Sequence, residues 1–184
     1  MIDLYEIFIY NISLLKEAGD KYMVEVRLTN ELTLKKLDPN NQKDLWLIQQ
    51  LNNDKTTLKY LKDIKHVFIN LDYLQSSSLF KSPYSILYND NPVGFIEVFE
   101  LFRLKKMANL SYAILKEERG KGHAKTVLKL FSDILLCEAK KIELVISDSN
   151  KESQRVAINA GFYLQQQQYD DVGFKKYEKI KTTK

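Results

Sequence analysis

One stretch constrains this chain more than any other: Arg119-Gly120-Lys121-Gly122-His123-Ala124. It follows the apolar run Leu110-Ser111-Tyr112-Ala113-Ile114-Leu115 and precedes a helical pattern that begins near Lys125. The order is strand, tight glycine turn, helix. Two glycines two positions apart let the backbone bend and approach a ligand without interference from a Cβ atom. Free N–H groups at the start of the next helix then converge on the same spot, where the helix dipole favours an anion. Taken alone, the stretch describes a phosphate cradle, and equally a plain structural connection.

Spacing removes two familiar cradles. A dinucleotide fingerprint needs a third glycine further on and an acidic residue about 20 positions later. A nucleoside-triphosphate loop ends in Gly-Lys-Ser/Thr, whereas Gly122 is followed by His123.

Length and composition narrow the classes. At 184 residues the chain reads as one domain with room for a core. Hydrophobic residues make up 45% and charged residues 28%, ordinary for a soluble globular protein. The absence of a long apolar run argues against a membrane span. The opening residues Met1-Ile2-Asp3-Leu4-Tyr5-Glu6 are acidic where a signal peptide is basic. The single Cys137 lies in an apolar helical pattern, cannot form an internal disulfide and is expected to pack in the core. A cytoplasmic protein is expected. Two histidines and one cysteine are too few soft ligands for a zinc site, so no metal is expected. The net charge of +4 comes from scattered lysines, a solvated surface that also suits an anionic small molecule. No dense basic patch with interleaved aromatics points to nucleic acid.

Taken in order, residues 5–28 alternate in polarity around Glu17-Ala18-Gly19-Asp20, which predicts an N-terminal β-hairpin extension over 1–29. Residues 31–37 read as a strand, broken by Asp38-Pro39-Asn40. Leu45, Trp46, Ile48 and Leu51 fall at helical spacing, and a second helical region runs over about 56–79. Strands are predicted at 84–88 and 93–101, joined by Asn89-Asp90-Asn91-Pro92. The apolar face Val127, Leu128, Phe131, Ile134, Leu135 marks a helix from Lys125. Residues 142–146 are too β-branched and short for anything but a strand. A helix over about 151–160 ends at Gly161, and strands near 162–167 and 174–180 complete a mixed sheet.

The glycine turn also resembles the pyrophosphate-binding signature Gln/Arg-x-x-Gly-x-Gly/Ala of the GNAT superfamily of acyl-CoA-dependent N-acetyltransferases. Arg119, Gly122 and Ala124 occupy its defined positions. Downstream, Asn150-Lys151-Glu152-Ser153, then Val156, then Gly161-Phe162 resembles the family's Asn-x-x-Ser…Gly-Phe segment. The resemblance covers about 31–180 and implies an acetyltransferase domain over 30–184. It implies an α/β fold: a central mixed sheet with a splayed parallel strand pair and helices on both faces. It implies acetyl-CoA as co-substrate. Its pantetheine arm would lie between strands 112–115 and 144–147 and pair with the backbone of Ala113 and Ile114. The amides of Gly120, Lys121, Gly122, His123 and Ala124 would take the pyrophosphate. Asn150 matches a cofactor contact, and helix capping suits it equally. His123 itself is expected to pack or face solvent.

Acyl transfer from a thioester to an amine needs an unprotonated amine, a polarised carbonyl and a stabilised leaving thiolate. With both substrates held together no covalent nucleophile is needed. Many relatives carry a Tyr four residues before the Gly-Phe pair matched by Gly161-Phe162, and here Ala157 stands at that place. The departure points to the ribosomal-protein N-terminal acetyltransferase branch, whose pattern places Ser at Ser153. That hydroxyl would protonate the thiolate, or else satisfy the first turn of its helix. The acidic residue common at the start of the cofactor strand is replaced by Asn109. Glu97, between Phe95 and Phe99, is the substitute base, with a solvent-facing glutamate as the alternative. The expected activity is acetyl transfer to a primary amine, either a protein N-terminus or a small amine, by a monomer or homodimer. A non-catalytic acyl-CoA-binding or sensing module is the alternative.

Overall fold

A computed structural model describes residues 25–61, 83–102, 106–165 and 173–181. These form one mixed sheet of eight strands with helices on both faces. In chain order the elements are β1 (Glu25–Arg27), β2 (Leu32–Lys36), α1 (Gln42–Asn53), α2 (Lys55–Tyr60), β3 (Pro83–Tyr88), β4 (Asn91–Phe102) and β5 (Met107–Ile114). After a short 3₁₀ turn at Lys116–Glu118 come α3 (His123–Leu135), β6 (Lys141–Ser147), α4 (Lys151–Asn159), β7 (Tyr163–Leu164) and β8 (Phe174–Ile180). The strand order is β1-β2-β3-β4-β5-β6-β8-β7. The mixed sheet with helices on both faces is the expected class.

Most of the expected N-terminal hairpin, and residues 62–79 of the second helical region, lie outside the described residues. The described end of that extension, β1, pairs with β2 as Glu25↔Lys35, Val26↔Leu34 and Arg27↔Thr33. It is therefore an edge strand of the common sheet.

From β1 to β5 each strand pairs antiparallel with the next in the chain. The β3–β4 turn is built on Asn89 and Asp90, both at positive φ (47° and 63°), the left-handed geometry that a two-residue hairpin needs and that Asn and Asp tolerate. Among the described residues only β5 and β6 run parallel, and α3 supplies the crossover between them.

The two sheet faces carry separate cores. On one, Val127, Leu128, Phe131, Ile134 and Leu135 of α3 and Ala157 of α4 pack on Ile96, Val98, Leu110, Ile114, Ile142 and Leu144. Each fully buried aliphatic or aromatic side chain here contributes about 1.5–3 kcal/mol. On the other face, Leu47, Ile48 and Leu51 of α1 meet Leu37, Phe95, Ala113 and Leu115.

Two expectations about packing are corrected. The buried face of α1 is Asp44, Leu47, Ile48 and Leu51, while Leu45 and Trp46 stand out at 45% and 47% exposure. Asp44 turns inward because Ser85 Oγ and the Asp38 amide both bond to its carboxylate, and that fixes the rotation of the helix. Cys137 is exposed, because α3 ends at Leu135 and leaves it beyond the apolar stripe. The fully buried polar position in α3 is Ser132.

Candidate active site

The parallel pair holds for three rungs: Met107↔Lys141, Ala108↔Ile142 and Asn109↔Glu143. Beyond Asn109 and Glu143 the strands part. β5 continues to Ile114 bonded to β4, and β6 continues to Ser147 bonded to β8. The gap opens into a cleft of about 800 Å³ reached by β4, β5, β6, α2, α3, α4 and the glycine turn.

β5 presents its backbone to this gap in alternation. The Leu115 amide donates to the Val93 carbonyl at 2.9 Å, and a Cβ added at Gly94 would lie 2.5 Å from the Ala113 carbonyl oxygen. Residues 113 and 115 therefore point their amides and carbonyls at β4, and 112 and 114 point theirs at the gap. The Ile114 carbonyl is taken by Arg119 Nε at 3.0 Å. What β5 offers an incoming strand-like ligand is the amide of Ile114 with the amide and carbonyl of Tyr112. Within the expected contact around Ala113 and Ile114, the register with β4 turns the Ala113 backbone toward Phe95.

At the top of β5 the glycine turn behaves as its sequence requires. Gly120 and Gly122 have φ of 78° and 89°, a region where a side chain is strained. A Cβ at either would meet nothing within 4 Å, so the space over both is open. Gly122 is the N-cap of α3, and among the described residues no side chain caps that helix end. Uncapped N–H groups beneath open space fit a phosphate group. α3 starts at His123, two residues earlier than expected, which places His123 and Ala124 in its first turn.

The side chains around the turn are engaged. His123 is buried (7% exposed), its ring 4.8 Å from that of Tyr88, with Nε2 3.3 Å from Glu118 Oε2. Lys121 Nζ donates to Glu118 Oε1 at 2.9 Å, which holds that carboxyl below its usual range. The Arg119 guanidinium reaches across the cleft mouth to the carboxylate of Asp54 and to Thr57 Oγ1. Asp54 caps α2 through the Thr56 amide at 3.0 Å. Burial pushes the Asp54 carboxyl up, but the bonds from Arg119, Thr56 and Thr57 outweigh it and leave its pKa lowered. Arg119, expected as a cofactor contact, here ties the turn to α2. The Tyr60 hydroxyl donates to the Ser149 carbonyl at 3.4 Å, a second link from α2 to the far lip.

On the α4 side, Asn150 caps the helix: its Oδ1 accepts from the Ser153 amide at 3.1 Å. Ser153 is thereby released from capping, and its Oγ lies 2.6 Å from the Tyr112 hydroxyl. Burial pushes the Tyr112 phenol up to about 12, against a smaller lowering from the Ser153 bond. Sequence reasoning missed Tyr112. Its signal was the i, i+2 alternation of β5, which puts Leu110, Tyr112 and Ile114 on the α3/α4 face, but nothing in the sequence places Ser153 opposite.

Glu97 is 2% exposed and lies in register with Ser111, on the opposite sheet face from Tyr112. It lines the same cleft as Ser153. A carboxylate on the α1/α2 side and a hydroxyl on the α3/α4 side thus flank the gap between β5 and β6. Glu143, beside Asn109 at the vertex, is buried between Lys141 Nζ at 2.5 Å and Lys176 Nζ at 3.4 Å.

A parallel pair that splays beside a glycine turn and an uncapped helix start defines a fold built to take a long anionic ligand edge-on. Comparison with known proteins gives the family. The model of the acetyltransferase (GNAT) domain matches residues 31–163, and the chain belongs to that family. No curated protein matches the sequence. Among solved structures it is similar to the ribosomal L7/L12 α-N-protein acetyltransferase RimL in complex with coenzyme A, with 16% identity, 85% of this chain and 97% of that chain covered, and a TM-score of 0.67. It is similar to the microcin C7 self-immunity acetyltransferase MccE in complex with acetyl-CoA and AMP (18% identity, 86% and 97% covered, TM-score 0.68). It is also similar to spermidine N-acetyltransferase from Vibrio cholerae in complex with CoA and spermine (20%, 83% and 96%, 0.61). At these identities the likeness is one of fold.

Proposed function

We propose that this chain transfers an acetyl group from acetyl-CoA to a primary amine, with both substrates held together in the cleft. One observation carries the reading: β5 and β6 part after three rungs, directly below an uncapped helix start with open space over Gly120 and Gly122. The amides of residues 120–124 take the pyrophosphate, and the gap-facing backbone of Tyr112 and Ile114 pairs with the pantetheine amides. Acetyl-CoA supplies an activated acyl group, so the protein's task is positioning and charge stabilisation.

The amine approaches from the α1/α2 side, where Glu97 accepts its proton. Ser153 faces the leaving sulfur from the other side. How much the base must do depends on the acceptor. An α-amino group with a pKa near 7.7–8.0 is uncharged in roughly a tenth of molecules at pH 7, whereas a lysine-like amine near 10.4 is uncharged in only a few per ten thousand. The first acceptor asks less of any base in the cleft. A protein N-terminus is therefore the acceptor this site suits better, and a small alkyl amine the second.

Calorimetric titration with acetyl-CoA, followed by thiol release on a panel of peptides with free N-termini, polyamines and amino sugars, tests the reading. Acetyl-CoA binding with thiol release on the peptides is the expected result. Binding without release on any amine would make the chain an acyl-CoA-binding module. No binding would remove the assignment.

A further inference from the structure

Ser153 alone is a weak hydrogen-bond donor whose proton can rotate to any acceptor nearby. Two of its surroundings settle where that proton goes. The Asn150 cap already satisfies the Ser153 amide, so the hydroxyl has no duty at the helix start. The Tyr112 hydroxyl sits 2.6 Å from Ser153 Oγ, short even for an O–H···O bond. Either oxygen could donate, and chemistry chooses. A phenol is the stronger acid, and it donates better than an aliphatic hydroxyl does. With the phenolic proton on Ser153 Oγ, the serine's own proton must turn away from the ring, and both side chains line the cleft.

We propose that Tyr112 is a positioning residue that orients the Ser153 hydroxyl proton into the gap between β5 and β6, where the thioester sulfur of the co-substrate leaves. The proposal rests on the acetyltransferase reading. As the carbon–sulfur bond breaks, its electron pair stays on sulfur and accepts the Ser153 O–H as a hydrogen bond, and the phenol strengthens that donor cooperatively. No proton need leave the phenol. Its pKa of about 12 lies above the roughly 8.5 of an ordinary thiol, so full transfer would run about three orders of magnitude uphill. The neutral amine sheds one proton on becoming an amide; Glu97 takes it and passes it to solvent, and the thiolate draws one proton from solvent as it leaves. The charged side chains lining this region from α3 and α4 are Lys125, Lys151 and Glu152.

This arrangement replaces the phenol that Ala157 cannot provide. Tyr112 stands on a strand instead of a helix and reaches the sulfur through a second hydroxyl.

The test is a double-mutant cycle on the full chain. Tyr112→Phe keeps the ring and should lower kcat about tenfold, with the acetyl-CoA Kd and the Tm little changed. Ser153→Ala should lower kcat further, and adding Tyr112→Phe to it should cost nothing more. A purely structural ring would instead give losses that multiply, and that result overturns the proposal, as does a Tyr112→Phe enzyme with full turnover. A second variant keeps both hydroxyl and fold: fluorotyrosine at position 112, followed by fluorine NMR without substrate. Its titration midpoint should move when Ser153 is Ala, because a hydrogen-bond partner 2.6 Å from the phenol is removed, and an unmoved midpoint overturns the contact. A wild-type chain that binds acetyl-CoA but releases no thiol overturns the acetyltransferase reading and the positioning role with it. Turnover with an indifferent Tyr112→Phe overturns the positioning role alone.

Discussion

Arg119 Nε donates to the Ile114 carbonyl at 3.0 Å, while its guanidinium holds Asp54 at the junction of α1 and α2. One side chain thus joins the end of the cofactor strand to the wall expected to meet the acceptor. The link consumes a carbonyl that would otherwise face the gap, and it fixes how far α2 stands from the glycine turn.

Asp54→Ala should therefore disturb both substrates. Losing the cap of α2 costs about 1 kcal/mol, and a freed Arg119 should raise the acceptor KM and the acetyl-CoA Kd together. Steady-state kinetics with calorimetry checks this, and a change in one constant only would contradict the link. The link also sets a pH dependence. The folded-state pKa of Asp54 is lowered, so its contribution to stability is present above the ordinary carboxylate value near 3.9 and is lost as pH falls through the lower folded value. Melting curves of wild type and Asp54→Ala should converge only in that acidic range.

Asn150 and Ser153 should separate cleanly. Asn150 holds the helix cap, so Asn150→Ala should cost about 1 kcal/mol of stability. Ser153 supplies only its amide to that cap, so Ser153→Ala keeps the cap and loses only the hydrogen bond to Tyr112, about 1 kcal/mol, while kcat falls on the order of 10²-fold. Turnover separates the two variants: it falls in Ser153→Ala and holds in Asn150→Ala. Lost stability with full turnover in Ser153→Ala would refute the assigned role.

Gly122→Val tests the anion cradle. Its Cβ would meet no protein atom, so the cost to the fold is the φ of 89°, roughly 1–2 kcal/mol. Acetyl-CoA affinity should fall by far more than that strain explains, because the side chain would occupy the open space above α3. An affinity unchanged in a folded variant would move the pyrophosphate elsewhere.

Gly94→Ala should behave in the reverse manner. A Cβ there would lie 2.5 Å from the Ala113 carbonyl and 2.7 Å from Ile114 Cδ1, both parts of β5. Overpacking of this kind costs typically 1–3 kcal/mol and pushes the cofactor strand off β4. Chemical denaturation should show the loss, and a neutral effect would mean that β5 yields freely.

Among the described residues, the sequence by itself determined most elements and the identity of the turn. Glycines at 120 and 122, the Asn89-Asp90 hairpin and the apolar stripe Val127, Leu128, Phe131, Ile134 and Leu135 are local signals, and local backbone preference or helical period settles each of them. It also determined which family the chain resembles, because the Arg119–Ala124 and Asn150–Phe162 patterns are contiguous strings. What the sequence could not decide were relations between distant strands. Ala113 and Tyr112 are neighbours in the chain, yet only the register with β4 shows which of them turns its backbone to the gap. The 2.6 Å contact of Tyr112 with Ser153 spans 41 positions, and the Arg119–Asp54 link spans 65. Such contacts arise when strand pairing and core packing bring separate elements to one place, and no local propensity encodes them. Cys137 and Leu45 show the same limit in reverse: both fit a helical period, and only the packed helix ends and rotations left them at the surface.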